Sequence, residues 1–205
     1  MKIARIEPSK HKKGRVLIFL DDGELLKVTE NELLRFDLRV GDDLPEEAAQ
    51  TLKAAAKDSQ LKATAAAMVG KRLLSRKEVQ DRLIKKGAEA AAAKETAQWL
   101  EELGAVDDAA YAGAIARHYA AAGYGALRVK QELQKRGISR ELWEDALTEL
   151  PAPTEAVERF VAAKMRNGDD RERKKIADAL LRRGFTWNDI RPVLNRWGEE
   201  IEEEL

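Results

Sequence analysis

The chain has no cysteine. That excludes disulfides, a thiolate metal site and a cysteine nucleophile, and it suits a reducing cytosol. Histidine is scarce too. His11 and His118 lie far apart, and no His/Asp/Glu cluster has metal-ligand spacing. No Ser, His and acid stand with the motifs of a nucleophile system. Aromatics make up 5% of the 205 residues, which suits long solvated helices better than a thick core. No segment is apolar over the length that a membrane span needs, and the first residues carry no run of signal-peptide type. An excess of one charge is missing as well. The 37 Lys and Arg balance 37 Asp and Glu, so affinity for a polyanion must come from local asymmetry. The expectation is a cytoplasmic monomer that is not an enzyme, needs no cofactor or metal, and has no membrane contact.

What is present is a repeat. Ser75–Gly87 reads SRKEVQDRLIKKG, Gly125–Gly137 reads GALRVKQELQKRG, and Glu172–Gly184 reads ERKKIADALLRRG. Aligned on their last glycines, Val79, Val129 and Ile176 coincide, as do Leu83, Leu133 and Leu180. Two cations precede each glycine: Lys85-Lys86, Lys135-Arg136 and Arg182-Arg183. The glycines are 50 and 47 residues apart, the period of a helical repeat. Each glycine supplies the left-handed residue that closes a helix.

The organisation follows. Residues 1–45 form a small β-rich module. Val16–Leu20 and Leu25–Val28 flank an Asp21-Asp22-Gly23 turn, Thr29 and Glu32 make a capping box, and Leu38–Leu44 offers a further short strand. Pro45 opens a helical spacer over 46–60. Three three-helix repeats occupy 61–105, 106–152 and 153–198, and an acidic tail covers 199–205. In the second repeat Tyr111, Ile115 and Tyr119 share one helix face, and Trp143, Leu147 and Leu150 share another. One repeat alone leaves apolar surface uncovered, so stacked neighbours are expected to bury it in a row and form an elongated, curved array.

The zero net charge hides segregation. Lys71–Lys86 is net +5, while Gly125–Arg140 and Arg171–Arg183 are each net +4. The helices that follow in the first two repeats are acidic: Glu89–Gly104 is net −3 and Glu141–Leu150 net −4. In register, the basic helices form a broken positive stripe suited to a long polyanion or an acidic protein groove. Two readings stay open for the terminal pairs, which include Lys135, Arg136, Arg182 and Arg183. Cations in a last helical turn complement the macrodipole without any ligand, or they contact a partner. Arg72, Arg76, Lys77, Arg128, Lys130, Arg173 and Lys174 lie too early in their helices for the dipole to explain them, so partner contact stands against a solvated face. Trp99, Trp143 and Trp197 follow apolar spacing and read as core, and Trp187, in a cap, is read as core too. Tyr124 sits between glycines in a turn, where packing and partner contact are equally open. That Gly-Tyr-Gly lacks the preceding strand and following Lys-Ser/Thr of a phosphate loop.

These residues resemble the RecX family of recombinase regulators. The resemblance covers Leu61 to Trp197. It rests on Ser75-Arg76-x-Glu78-Val79-x-x-x-Leu83-x-x-Lys86-Gly87 and Leu103-Gly104-x-x-Asp107-Asp108-x-x-Tyr111-Ala112. It continues through Gly123-Tyr124-Gly125-x-x-Arg128-Val129-x-x-Glu132-Leu133-x-x-Arg136-Gly137-Ile138 and Leu180-x-x-Arg183-Gly184-Phe185. Ala88 and Ala90–Ala93 depart from it, standing where larger apolar residues are expected. The resemblance implies a mainly α fold of three tandem three-helix repeats. It implies a non-enzymatic protein that binds the RecA filament on single-stranded DNA, lies in its groove and inhibits recombinase, ATPase and co-protease activity. Direct contact with single- and double-stranded DNA is also within what it implies. A DNA-binding repeat protein is the alternative, and a helical scaffold for another partner is the third. Arg128 and Lys130 read as exposed, so reversing both should weaken inhibition and leave the fold intact. Leu133→Asp should unfold its repeat, because it places a charge on the buried stripe.

Overall fold

Alternation over Arg15–Leu20 decides the N-terminal module. Val16, Ile18 and Leu20 point inward and are buried, and their neighbours face outward. The computed structural model describes the backbone of residues 1–203 and the side chains of residues 1–197. Strands β1 (Ile3–Pro8), β2 (Arg15–Leu20) and β3 (Leu25–Thr29) form an antiparallel sheet in that order. Val16 faces Val28 and Ile18 faces Leu26 across the β2–β3 ladder. Helix α1 (Glu30–Arg35) starts from the Thr29/Glu32 capping box. No further strand forms over 38–44. Gly41 turns the chain there at φ +95°, leaving only a bridge between Lys2 and Asp43.

The expected spacer and the first helix of the first repeat are one helix, α2 (Glu46–Val69). No Gly or Pro lies within it to break it. Ala49, Leu52 and Ala56 bury against the sheet, while Ala65 belongs to the core of the first repeat. That repeat adds α3 (Arg76–Lys85) and α4 (Ala90–Glu102). The Ser75/Glu78 capping box that opens α3 is present. The alanine run packs Ala93 fully into the core but leaves a cleft of about 1030 Å³ against α2 and β3, lined by Ala88 and Ala92.

The second repeat is α5 (Asp108–Ala121), α6 (Ala126–Lys135) and α7 (Trp143–Leu147), the last entered through a 3₁₀ turn. Helix α7 is shorter than the apolar spacing indicates, and Leu150 lies beyond it. Pro151 disfavours helical backbone at the residue before it. The third repeat is α8 (Pro153–Lys164), α9 (Asp170–Arg182) and α10 (Trp187–Glu203). The side chains of the expected acidic tail, 199–205, lie outside the described residues.

Packing differs from the expected continuous core. Among the described residues there are four separate clusters of buried residues, one in the N-terminal module and one in each repeat. Each repeat closes its own core around Val79 and Leu83, Val129 and Leu133, or Ile176 and Leu180. The three Trp expected as core, Trp99, Trp143 and Trp197, each pack against the cluster of their own repeat. The array is extended. Its accessible surface is 13367 Å², whereas a compact monomer of this mass, 22.9 kDa, exposes about 9,600 Å². Helix ends, rather than a shared apolar seam, carry the connection between repeats.

Candidate functional site

The three basic helices end in the same way. Gly87, Gly137 and Gly184 follow α3, α6 and α9 at φ +92°, +68° and +87°. What surrounds these ends differs, and that difference sorts the cations.

The end of α6 seats on the start of α3. The Ser75 hydroxyl, fully buried, donates to the Arg136 carbonyl at 2.5 Å while accepting from the Glu78 N–H at 3.0 Å. A Cβ on Gly137 would overlap the Lys77 stem. The Arg76 N–H donates to the Asp108 carboxylate at 2.8 Å, and its guanidinium pairs with Glu101 at 3.2 Å.

The end of α9 seats on the start of α6 by the same device. The Gly125 N–H donates to the Arg183 carbonyl at 2.9 Å, and the Leu127 N–H donates to the Gly184 carbonyl at 3.1 Å. The Arg183 guanidinium donates to the carbonyls of Ala122 and Gly123 at 3.1 and 3.2 Å and lies over the Tyr124 and Phe160 rings. Ser75 and Gly125 stand at equivalent places, twelve residues before their glycines. The two joints are therefore one joint used twice.

It is not used a third time. Helix α9 begins earlier than its counterparts, from Asp169, and Glu172 takes the place of Ser75 and Gly125. Its carboxylate accepts from the N–H groups of Arg166, Asn167 and Gly168 at 3.0, 2.8 and 2.9 Å, which holds it below the ordinary carboxylate range. The extra turn and this loop close the start of α9. At the other end, Lys86 and Gly87 have no preceding repeat to seat on and are exposed.

A buried carboxylate fixes α6 itself. The Glu132 side chain is 7% exposed and lies between Arg128, at 3.0 Å, and Arg136. Arg136 Nε also donates to the Tyr111 hydroxyl at 3.1 Å. Burial pushes the Glu132 carboxyl up, but the hydrogen bond and charge of Arg136, a hydrogen bond from Tyr119 and the charge of Arg128 together hold it below its ordinary value.

The candidate residues thus divide. Arg76, Arg128, Arg136 and Arg183 work inside the protein, in joints and ion pairs. Arg128 is not the freely exposed residue the helix pattern suggests. It sits beside Gly184, is paired to Glu132, and its buried Nε has no partner among the described residues. Tyr124 is half-buried, edge-on to Tyr119 at 5.4 Å and close to both Arg128 and Arg183, so packing accounts for it. Lys77 pairs with Asp81 at 2.8 Å on the surface, and Arg72 stands 3.9 Å from Glu78. Lys130, Lys135, Lys174 and Arg182 are exposed and form no ion pair among the described residues. The paired cations before each glycine have split fates. The second is built into a joint in repeats two and three; the first, Lys85, Lys135 or Arg182, faces solvent in all three.

Arg173 and Lys174 line a groove of about 340 Å³ with Leu181, Trp187 and Arg191. Trp187 is 50% exposed. This exposure corrects the reading of Trp187 as core: it stands in a cap, and cap positions carry no periodicity that tells buried from exposed. Lys12 lies outside the candidate residues read from the repeats. It belongs to the run Lys10-His11-Lys12-Lys13, a basic signal outside the repeats. Among the described residues no group of three or more His, Asp or Glu is placed to hold a metal, and no helix is long and apolar enough to cross a membrane.

Comparison with known proteins supplies the context. Residues 107–147 match the family model of the RecX second three-helix domain. A regulatory protein RecX of Xanthomonas axonopodis pv. citri is 35% identical over 121 residues, covering 57% of this chain and 75% of that one. The RecX of Bacillus licheniformis is 29% identical over 201 residues, 94% of this chain and 76% of its own length. A crystal structure of regulatory protein RecX superposes with a TM-score of 0.76 at 23% identity, over 95% of this chain and 98% of that one. A second, from Lactobacillus salivarius, gives 0.57 over 71% of this chain and 97% of that one at 22% identity. By the matched second repeat, the level of identity and the share of the relatives covered, the chain belongs to the RecX family of regulatory proteins.

Proposed function

We propose that this protein regulates RecA by binding its filament on single-stranded DNA and inhibiting it, without chemistry of its own. One observation carries the reading: Lys85, Lys135 and Arg182 recur as exposed cations without an ion pair among the described residues, at one place in each repeat, on helices whose mutual seating is itself repeated. A filament presents the same surface at regular intervals. An extended array with a regularly repeated charge suits a groove on such a target, where complementary charge steers docking and sets register. Bound along the groove, the protein would obstruct strand exchange, ATP hydrolysis and co-protease function together.

The groove of the third repeat supports a protein partner. A half-exposed Trp beside Leu181, Arg173 and Arg191 has the composition of a protein-binding hot spot.

The test is ATP hydrolysis by RecA on single-stranded DNA, titrated with this protein at two salt concentrations and with excess DNA. Inhibition that persists at low stoichiometry and in excess DNA is expected. Inhibition abolished by added DNA or salt would instead place the effect on nucleic acid. Lys135→Glu with Arg182→Glu is expected to weaken inhibition about tenfold at a cost of only about 1–2 kcal/mol in stability, because both side chains are exposed and lose only their last-turn dipole contribution. Full inhibition by the folded double variant would remove the repeated cations from the mechanism.

A further inference from the structure

The basic loop of the N-terminal module has no part in the sheet core, yet the fold brings it to the first repeat. Residues 9–14 connect β1 to β2 and contain Lys10, His11, Lys12 and Lys13. The Ser9 N–H to Arg15 carbonyl bond, 2.8 Å, closes the connection, and the Arg15 guanidinium donates to the Gln60 side chain at 2.6 Å, tying the loop base to α2. Lys12 thereby comes to border a groove of about 500 Å³ along the second half of α2. The floor is small, made of Ala63, Thr64, Ala67 and Met68. Among the described residues the rest of the lining is Lys12, Lys71, Arg72, Arg82 and Lys86, five cations from three separate segments with no carboxylate beside them. Of the five, only Arg72 has an acidic neighbour among the described residues, Glu78 at 3.9 Å.

Lys86 gives the arrangement its meaning. At the equivalent places Arg136 and Arg183 are absorbed into joints. The first repeat has no predecessor, so Lys86 is left for this groove.

We infer that this groove is a binding site for the phosphodiester backbone of a nucleic acid, and that the N-terminal module completes it by contributing Lys12. A cleft lined by one sign of charge focuses its field and favours a multiply charged anion. A run of phosphates meets that requirement at several points at once. Among the described residues no aromatic ring borders the groove, so bases find no stacking platform and the contact is to the backbone, without sequence preference. The same lining argues against a protein partner, because it has no large exposed apolar anchor. The site goes beyond the RecA reading and does not depend on it.

The test uses the full-length protein without RecA. Binding of a 5′-fluorescein-labelled oligo-dT of about 25 nucleotides is followed by anisotropy across a salt series. Lys12→Glu with Lys71→Glu is expected to weaken binding at least about tenfold and to reduce the slope of log affinity against log salt by about 1.4, for two lost phosphate contacts on a single strand. Lys94→Glu with Lys164→Glu changes net charge equally at exposed positions that do not border the groove, and is expected to bind within about twofold of the parent. Lys12→Ala with Lys71→Ala repeats the measurement should the reversals perturb folding, with a smaller loss in the same direction. Unchanged binding by the groove variants would overturn the proposal, as would equal losses in both glutamate pairs. Labelled poly-glutamate bound more tightly than the oligonucleotide, and lost in the groove variants alone, would assign the groove to an acidic protein instead.

Discussion

Gly184→Ala is expected to separate the third repeat from the second. Two costs combine. Gly184 has φ +87°, a conformation costing an L-residue about 1–2 kcal/mol. Its new Cβ would also overlap the backbone nitrogen of Arg128 and lie 2.8 Å from the Arg128 Cβ. Backbone at a helix start cannot swing aside, so the joint must open. The Gly125 N–H to Arg183 carbonyl bond and the Leu127 N–H to Gly184 carbonyl bond are then lost together. A total above about 3 kcal/mol follows. Because the cores are separate, calorimetry should show the third repeat melting ahead of the others, and proteolysis should cut between α7 and α8. Gly87→Ala is the control. Its φ is +92°, but nothing lies within 4 Å of its Cβ, so about 1 kcal/mol of strain is expected and no change in cooperativity. Equal effects from the two substitutions would show that the joint contributes nothing beyond helix closure.

Glu132→Gln should be the most damaging polar substitution in the second repeat. The carboxylate is buried and holds Arg128 and Arg136. Gln leaves two partly buried guanidinium groups facing an amide. Removing one member of a buried network costs about 3–5 kcal/mol. Here the two arginines are 40% and 27% exposed, so solvent screening reduces the expected loss to about 2–3 kcal/mol. The pH dependence has a definite sign. The folded-state pKa of Glu132 lies below its ordinary value of 4.5. Its stabilisation is therefore complete above about 4.5 and disappears as pH falls through the depressed folded value. Urea denaturation between about pH 3 and 7 should show the parent losing stability on that acid limb, and the variant losing less of it. A parallel acid limb in both proteins would mean that Glu132 is not held ionised by its neighbours.

The sequence made the local structure legible where the signal was local. The Ser75/Glu78 and Thr29/Glu32 boxes, the three closing glycines and the Asp-Gly hairpin turn are short-range chemistry, and each formed as read. The single helix α2 corrects the division expected at residue 60, although nothing between Glu46 and Val69 interrupts a helix. The joints were not legible. They consist of backbone carbonyls and glycine contacts about sixty residues apart in the chain, for example Ser75 with Arg136. No periodicity reports such contacts. The fate of the paired cations follows from the joints, so Lys135 and Arg136 looked alike in sequence although one faces solvent and the other is built in. Arg128 failed for the same reason, because the α9 end that covers it lies far along the chain. Lys12 has a visible charge signal, but its meeting with Arg82 and Lys86 depends on the tertiary placement of a hairpin loop.

The central claim is that the exposed, repeated cations engage a filament as a set. The most direct measurement is sedimentation of preformed RecA–single-stranded DNA filaments with this protein, at a salt concentration where it no longer binds naked single-stranded DNA. The parent should pellet with the filaments, and the Lys135→Glu, Arg182→Glu variant should stay in the supernatant. A parent protein that binds filaments no better than naked DNA at every salt concentration would contradict that claim.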